Sequence, residues 1–276
     1  MVNRTQPYAR SRWIRAATAL YMPLSLILLL ALWQLAIFLF RPPSYILPPL
    51  GSVLDALLQG FAPGLYAQGT GFLFHLAATL KATLGGLIVG SLLGLMIGIV
   101  CAEIRVLEKT LLNYVSALQT LPKVALAPLF LSWLGFGLVS KVAMSASLTF
   151  FPITLNTYTG LKNVDQERLT LMRSLQASRW QILWMVKVPS ALPIIYASFK
   201  MALVYALLGA IVGEFVGTNA GMGMLIRNQS SMLDTAGVFT SLIVLGVVGF
   251  LMSALANKLE WFVIPWTRPN KSKIAD

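Results

Sequence analysis

Four uninterrupted apolar runs constrain this chain more than any other feature of its sequence. They are Tyr21–Phe40, Ala82–Ala102, Val142–Leu161 and Thr235–Asn257, and none of them contains an acidic or basic residue. Each run is close to the length of about 20 residues that an α-helix needs to cross a bilayer. The hydrocarbon core supplies no water to unpaired backbone groups, so an apolar run of this kind must be helical there. We therefore expect an all-α polytopic membrane protein.

The overall composition points the same way and excludes most classes of soluble protein. Hydrophobic residues make up 57% of the chain and charged residues only 11%, whereas a soluble domain has about 25% charged residues. The net charge of +12 would suit a nucleic-acid partner. However, the basic residues lie between the apolar runs, and no recognition motif accompanies them, so we expect no nucleic-acid partner. The single cysteine, Cys101, excludes an internal disulfide.

Two further spans are interrupted, which raises the expected number of transmembrane helices to six. The third span carries Pro122, Lys123 and Pro128, and we expect a kink because each proline removes a backbone donor. Lys123 is a candidate for a charge that faces a transport pathway. The alternative is a lysine at a helix end that extends to the membrane surface. Ser140 and Lys141 are expected in an outer turn before the fourth span.

The fifth span is expected to begin after Pro193, and its uncharged part, Met201–Gly213, is shorter than a usual span. Glu214 follows, and then a glycine-containing apolar piece, Phe215–Ile226. A short, broken segment with an acidic residue is typical of backbone that lines a protein-enclosed pathway. Glu214 is thus a candidate for a pathway or gating role, and an exposed position at the outer interface is the alternative.

Glycines recur at every fourth position of the second span, at Gly86, Gly90, Gly94 and Gly98. This spacing gives one flat helix face, which allows a second helix backbone to approach closely. We interpret the stripe as a helix-packing surface, with direct lining of a pathway as the alternative. Alanine is expected to be tolerated at Gly90 and Gly94, and leucine is not.

The distribution of positive charge predicts that both chain termini are cytoplasmic. An inner membrane protein carries an excess of lysine and arginine in its cytoplasmic segments. With the termini inside, the Pro- and Gly-punctuated stretch Arg41–Gly71 is outside, the connection Glu103–Lys109 is inside, and fifteen of the 21 basic residues are cytoplasmic. Those fifteen are Arg4, Arg10, Arg12, Arg15, Arg105, Lys109, Lys162, Arg168, Arg173, Arg179, Lys187, Lys258, Arg268, Lys271 and Lys273.

One of these inner segments, Gly160–Ile194, is long and polar enough to protrude from the membrane. A first short helix is expected to start near Asn163 or Asp165. A second follows Ser178, because Ser178 and Gln181 have the spacing of a capping box. Pro189 disfavours a helical conformation at the residue before it, so we expect the second helix to end there.

Several short motifs lie in and around this segment. They are Leu175–Gln181, Val188-Pro189, Ala191–Ile194, Thr120–Leu129, Trp133–Gly137, Phe151–Ile153, Gly213–Phe215 and Gly221–Gly223. Together they resemble the motifs of permeases of binding-protein-dependent ABC importers, in the nitrate, sulfonate and taurine branch, over roughly residues 70 to 257. Two features depart from the family: Gln176 stands where the family has a glycine, and Thr170-Leu171-Met172 replaces an acidic-Ala-Ala opening.

The resemblance implies a type I ABC importer permease fold and a transport subunit without enzymatic activity of its own. It implies a coupling loop (residues 161–190) that docks onto cytoplasmic ABC ATPase subunits, where ATP and Mg²⁺ would bind. It also implies an extracytoplasmic binding protein and a second permease chain, expected to be an identical copy, in the plasma (inner) membrane. The coupling residues implied are Leu175, Gln176, Ala177, Ser178, Arg179, Trp180 and Pro189.

The expected cargo is a sulfonate, taurine or nitrate, with a heteroaromatic vitamin precursor such as a pyrimidine as the alternative. A carrier driven by an ion gradient is the alternative from another class, but we find no convincing internal repeat. The sequence contains no Walker phosphate-binding loop. The lone His75 has no partner at metal-ligand spacing, so we expect no metal site and an interfacial position for His75.

These observations divide the chain into three parts. Residues 1–70 hold the cytoplasmic N-terminus, the first span and an outer loop. Residues 71–257 hold the transmembrane domain with the coupling loop, and residues 258–276 form a basic cytoplasmic tail.

Overall fold

The computed structural model describes residues 8–62, 64–65 and 68–267, with side chains from Tyr21 onward except Met22. Arg4, Arg268, Lys271 and Lys273 lie outside the described residues, as do the side chains of Arg10, Arg12 and Arg15.

The described residues form α-helices joined by short connections, without a β-strand. Short 3₁₀ segments lie at Lys123–Leu126 and Pro265–Thr267, and a π-turn lies at Leu183–Lys187. The α-helices are Tyr8–Phe40 (α1), Leu50–Gly60 (α2), Gly71–Glu103 (α3), Arg105–Gln119 (α4), Ala127–Leu134 (α5), Leu138–Lys162 (α6), Gln166–Ser174 (α7), Arg179–Ile182 (α8), Val188–Phe215 (α9), Met222–Ser231 (α10) and Thr235–Val263 (α11).

Within the described part of the chain, five segments are helical, long and apolar enough to cross a membrane: those containing α1, α3, α6, α9 and α11. Helix α4 and the segment Lys123–Leu134 give a sixth crossing if they are counted as one span, and they are bent by 92° at the break. The bend lies at Pro122, where the sequence predicts a kink. The prediction of an all-α polytopic membrane protein is confirmed.

Helices α3, α6 and α9 form the packed centre of the molecule, and the glycine stripe of α3 faces α6. A Cβ atom added at Gly90 would lie 2.7 Å from the carbonyl oxygen of Ala146, and one at Gly94 would lie 2.9 Å from that of Phe150. Real Cβ atoms do not approach backbone atoms so closely. The expectation that alanine is tolerated at these two positions is therefore wrong, because the two backbones are already in contact.

Buried hydroxyl groups fix this three-helix centre further. The Ser145 side chain of α6 donates a hydrogen bond to the carbonyl oxygen of Ala206 in α9, at 2.9 Å. Such bonds between spans replace the hydrophobic driving force that is missing between helices in lipid. The centre is held by close backbone contact and by polar groups.

Helix α1 packs against this centre less closely than the other spans do. None of its apolar window Pro23–Phe40 is buried. Its Trp33 ring packs edge-on against Phe239 of α11, with 4.9 Å between ring centroids, and donates a hydrogen bond to the carbonyl oxygen of Pro48. Helix α1 therefore leaves most of its surface outside the packed bundle.

The stretch Arg41–Gly71 contains a helix, α2, that its proline and glycine content does not predict. Val53 of α2 is buried, and its carbonyl oxygen accepts a hydrogen bond from Thr240 of α11 at 3.0 Å. The segment therefore packs on the bundle as an amphipathic helix.

Two expected boundaries between helices and connections also differ from the structure. Helix α4 starts at Arg105, so the expected inner connection Glu103–Lys109 shrinks to Ile104 between two helices. The predicted stop at Pro189 is wrong as well, because Val188 is helical (φ −61°, ψ −50°) and Pro193 lies inside α9. Proline is tolerated in the first turn of a helix, where its missing N–H has no partner, and the preceding π-turn carries the chain into α9.

Candidate functional site

The coupling loop leaves α6 at Lys162 and folds into two capped short helices. The first, α7, begins after Asp165, whose carboxylate accepts a hydrogen bond from the backbone N–H of Glu167 at 3.0 Å. Serine, threonine, asparagine and aspartate are the residues that satisfy the free N–H groups at a helix start. The position agrees with the predicted start near Asn163 or Asp165.

Gln176 forms the turn between the two short helices in a left-handed conformation, with φ 55°. The N–H of Gln176 donates to the carbonyl oxygen of Arg173, and the N–H of Ala177 donates to that of Met172. These two bonds constitute a Schellman motif, which normally has glycine at this position. This conformation gives a physical reason for the glycine that the resemblance implies here, and Gln176 adopts it with a side chain.

The second short helix, α8, starts with the predicted capping box. Ser178 accepts from the backbone N–H of Gln181, and the Gln181 side chain accepts from the N–H of Ser178 at 2.7 Å. Three large apolar side chains nearby are exposed to solvent. They are Leu175, Trp180 and Trp184, with exposures of 69%, 70% and 57%. Exposed aromatic groups on a polar protrusion are typical of a surface that meets a partner.

The base of the loop is anchored to the ends of the spans by apolar packing and ion pairs. Leu183 is buried in a cluster with Ala102 of α3, Leu161 of α6 and Ala191 of α9. Lys187 pairs with Glu103 at the end of α3, and Lys162 pairs with Glu108 of α4 at 2.7 Å. The loop is thus fixed at its base and exposed at its tip. Pro189 lies in this base, half-buried at the start of α9.

A second site lies at the other end of α9, about 40 Å away at 1.5 Å per residue. Glu214 is fully buried there. Its carboxylate lies 3.0 Å from the Thr79 hydroxyl of α3, accepts from the N–H of Gly223 at 2.9 Å, and lies 3.9 Å from the Lys141 ammonium of α6. The alternative of an exposed, interfacial Glu214 does not hold, because protein encloses the carboxylate.

The same site holds the connection between α9 and α10. The N–H of Gly221 donates to Nδ1 of His75 at 3.1 Å, and the Lys141 ammonium donates to the carbonyl oxygen of Ala220. We call His75, Thr79, Lys141, Glu214 and residues 216–221 the Glu214 cluster. Lys141 was expected in an outer turn and His75 at the interface. Both expectations are wrong, since α6 starts at Leu138 and both side chains are buried.

The Glu214 cluster satisfies the start of α10 with side chains of other helices. Thr79 accepts from the N–H of Met222 at 2.8 Å, and Glu214 accepts from that of Gly223. A carboxylate at a helix start is also favoured by the helix dipole. Gly221 has φ 131°, and a Cβ atom there would overlap the Glu214 carboxylate. The side chains of α3, α6 and α9 in this cluster therefore hold residues 216–221, the connection between α9 and α10, in place.

Lys123 lies apart from both sites. Its ammonium donates to the carbonyl oxygen of Gln119 at 3.2 Å and lies 4.6 Å from the centre of the Phe151 ring. It borders an apolar cavity of about 530 Å³, lined also by Phe130 and Phe150. Lys123 and Glu214 are therefore not parts of one site, since Phe151 lies ten residues after Lys141 along α6.

Three members of the cluster, Thr79, Lys141 and His75, were not predicted as site residues from the sequence. A signal for Lys141 was present: it and Glu214 are single charges near the ends of adjacent spans, and buried charges in membranes pair with one another. Thr79 gives no comparable signal, because threonine is common in spans as a helix-packing residue.

Comparisons with known proteins agree with this architecture. A family model described as "binding-protein-dependent transport system inner membrane component" matches residues 90–263. A riboflavin transport system permease protein of Chloroflexus aurantiacus is 39% identical, over 96% of this chain and 97% of the relative. A formylaminopyrimidine transport permease protein of Halalkalibacterium halodurans is 33% identical, over 92% and 98%. The taurine transport system permease protein of Escherichia coli is 28% identical, over 87% and 86%.

Solved structures share the fold. The MetNI methionine ABC transporter in an inward-facing conformation matches with a TM-score of 0.62 and 19% identity, over 69% of this chain and 95% of the solved chain. An amino acid ABC transporter matches with a TM-score of 0.55 and 18% identity, over 77% and 94%. By its family match and its relatives, this chain belongs to the binding-protein-dependent transport system inner membrane components and is a permease of an ABC importer.

Proposed function

We propose that two copies of this chain enclose the pathway of an importer that is driven by separate ATPase subunits and supplied by an extracytoplasmic binding protein. Family membership supports an ABC importer as the class of transporter. The coupling loop carries the proposal for the docking site, because its tip is rigidly capped, exposed and apolar while its base is anchored. Such a surface is suited to a protein partner and not to lipid or substrate.

The continuity of the loop with the fifth span supports a lever mechanism. Residues Arg179–Phe215 form one helical segment through the π-turn, and Glu214 lies at its far end. A displacement of α8 by a closing ATPase would therefore be transmitted along α9 without an intervening flexible hinge. We expect that ATP-driven closure of the ATPases moves both coupling loops and changes the pathway from inward-open to outward-open.

We further propose that the coupling loop and both termini face the cytoplasm, which is supported by the excess of basic residues in those segments. Single cysteines at Gln59 in α2 and at Thr170 in α7, in a Cys101→Ala background, test this orientation. An impermeant thiol reagent applied to intact cells should label the cysteine at position 59 only. Labelling at position 170 would overturn the proposal.

For the cargo, we propose a nitrogen-containing heteroaromatic compound of the flavin or aminopyrimidine class. The support is that the relative named for riboflavin is 39% identical to this chain, above the 33% of the formylaminopyrimidine permease, the 31–32% of relatives named for aliphatic sulfonates and the 28% of the taurine permease. A sulfonate, taurine or nitrate is the second candidate, on the basis of the motif resemblance. Vesicles containing the complete transporter and its binding protein should take up labelled riboflavin or formylaminopyrimidine, and taurine uptake instead would favour the second candidate.

The docking proposal is tested at Ala177, which follows the left-handed turn and is half-buried. Ala177→Asp would place a charge in a contact that the ATPase desolvates, at a cost of several kcal/mol. We expect loss of ATPase co-purification and of ATP hydrolysis stimulated by the binding protein, with normal amounts of permease in the membrane. Ala177→Ser is the matched control, because it adds a similar polar atom without a charge.

Full ATPase binding by the Ala177→Asp variant would overturn the docking site. Import that continues after ATP depletion and stops with an ionophore would instead favour a carrier driven by an ion gradient.

A further inference from the structure

A cavity of about 860 Å³ lies between the base of the coupling loop and the ends of the spans α3 and α6. Its volume is within the range of about 300–1,000 Å³ that is common for ligand sites. Ala177 and Arg179, which belong to the proposed docking surface, line part of it, and the function proposed above assigns no role to the other lining residues. Five basic residues and a single acid line it: Arg105, Lys162, Arg173, Arg179, Lys187 and Glu103.

Two of the five basic residues already have acidic partners. Lys162 pairs with Glu108, and Lys187 pairs with Glu103. The three arginines, Arg105, Arg173 and Arg179, have no carboxylate within ion-pair distance in the described part of the chain. The cavity therefore concentrates three guanidinium groups that form no salt bridge there. An anion is the ligand that such an arrangement attracts.

The chemistry of these three guanidinium groups favours a phosphate as the bound anion. A guanidinium presents its N–H donors as a planar fork, which matches two oxygens of a phosphate or carboxylate. The arginines come from three different elements: α4, α7 and α8. They can therefore approach one anion from several sides.

The position of the cavity favours a phospholipid over a soluble phosphate compound. Its wall includes Ala102, Glu103 and Ile104, where α3 ends, and Lys162, where α6 ends. Ile104 in this wall is 47% exposed, and Val106 at the start of α4 is 71% exposed. These exposed apolar side chains offer a surface for acyl chains. Basic pockets at the membrane surface between transmembrane helices are typical sites for anionic lipid headgroups.

We propose that this basic cavity binds the headgroup of an anionic phospholipid, with Arg105 and Arg173 as phosphate-binding residues. The lipid would join the base of the coupling loop to the ends of α3 and α6. Neither residue is among those to which the ATPase-docking role is given, so the two proposals can fail separately.

The test uses the purified full-length permease in detergent with phosphatidylglycerol, and native mass spectrometry counts the bound lipid. Near a membrane surface each basic residue contributes enough for roughly fivefold in affinity. Arg105→Gln combined with Arg173→Gln should therefore weaken phosphatidylglycerol retention on the order of twentyfold. The Arg105→Lys/Arg173→Lys variant keeps both charges and should retain an intermediate amount.

Arg168→Gln is the matched control, since Arg168 is also on α7 but does not line the cavity. It should retain lipid as the wild type does, and phosphatidylcholine should not compete. Size-exclusion profiles of all variants establish that they are folded.

Retention of phosphatidylglycerol by the double Gln variant would overturn the proposal, and so would displacement of the lipid by equal amounts of inorganic phosphate. Loss of ATPase binding with unchanged lipid retention would assign the arginines to the protein interface and would also overturn it.

Discussion

The two ends of α9 differ in how their polar groups are satisfied. At the loop end, the caps of α7 and α8 use local residues only, such as Ser178 and Gln181, and large apolar side chains such as Trp180 remain exposed. At the other end, Glu214 has no exposure and is satisfied by Thr79, Lys141 and Gly223, which come from three other helices. The loop end can therefore change its contacts without disturbing the fold, whereas the Glu214 cluster cannot.

This contrast fits a transporter in which α9 joins an exposed partner-binding surface to a buried polar cluster. The backbone groups of the loop form their hydrogen bonds within the loop itself. A partner can therefore replace water on its surface without breaking bonds that stabilise the fold. A buried carboxylate that loses its partners leaves unpaired polar groups in a medium without water. We therefore expect substitutions at the Glu214 cluster to affect stability first, and substitutions in the loop to affect partner binding first.

The largest expected effect is that of Glu214→Ala. It leaves the buried Lys141 without its counter-charge and the N–H of Gly223 without an acceptor, and breaking a buried ion pair costs about 3–5 kcal/mol. We expect a lower unfolding temperature in detergent and less protein in the membrane.

Glu214→Gln is the control: it retains an acceptor for Gly223 and should preserve most of the stability. If Glu214→Gln also retains normal uptake, the charge has no role in the transport cycle. Wild-type stability of Glu214→Ala would remove the contrast between the two ends.

A smaller effect is expected in the middle of the bundle, where α3 and α6 connect the two ends. Gly90→Ala would force the helices apart against the carbonyl oxygen of Ala146, and overpacking of this kind costs about 1–3 kcal/mol. Gly246→Ala in α11 is the matched control, because no heavy atom lies within 4 Å of the added Cβ. Thermal unfolding of both variants measures the difference. Equal stability of the two would mean that the α3–α6 contact is not close.

At the loop end, Ser178→Ala removes the acceptor for the N–H of Gln181 and should cost about 1 kcal/mol of local stability. The expected result is normal unfolding of the membrane core and weaker ATPase binding, measured by titration of the purified ATPase. Ser178→Thr keeps a capping hydroxyl without adding a charge and should bind as the wild type does. A drop in core stability for Ser178→Ala would contradict the independence of the loop.

The smallest effect is expected for Gln176→Gly. A left-handed residue with a side chain carries about 1 kcal/mol of strain, but glycine also increases the entropy of the unfolded chain, which offsets part of the gain. Hydrogen exchange in the loop should become slightly slower in Gln176→Gly and stay unchanged in Gln176→Ala. Faster exchange in the glycine variant would indicate that the Gln176 side chain itself supports the turn.

Features that depend on neighbouring residues in the sequence were predicted well. The capping box at Ser178 follows from a spacing of three residues. The close approach of a helix to Gly90 follows from a repeat within one span. Long apolar runs likewise predicted the all-α membrane fold. In each case the physical cause lies within one helix.

Features that depend on distant partners were not predicted. The pairing of Lys141 with Glu214 joins α6 to α9, and Thr79 completes it from α3, so no local pattern contains the cluster. Helix α2 was missed because its stability comes from packing on α11. The helix end expected at Pro189 did not occur, because a preference against helix at Val188 was outweighed by the anchoring of Leu183 and Ala191 in one apolar cluster.

The π-turn at Leu183–Lys187 sets the rotational phase between the loop and the fifth span. One extra residue in a helical turn rotates everything beyond it by about 100° relative to a regular α-helix. The direction in which Trp180 points is thus determined by a residue count in the segment that joins α8 to α9. A single-residue deletion there would leave every side chain of α8 chemically intact and aim it at a different side of the molecule.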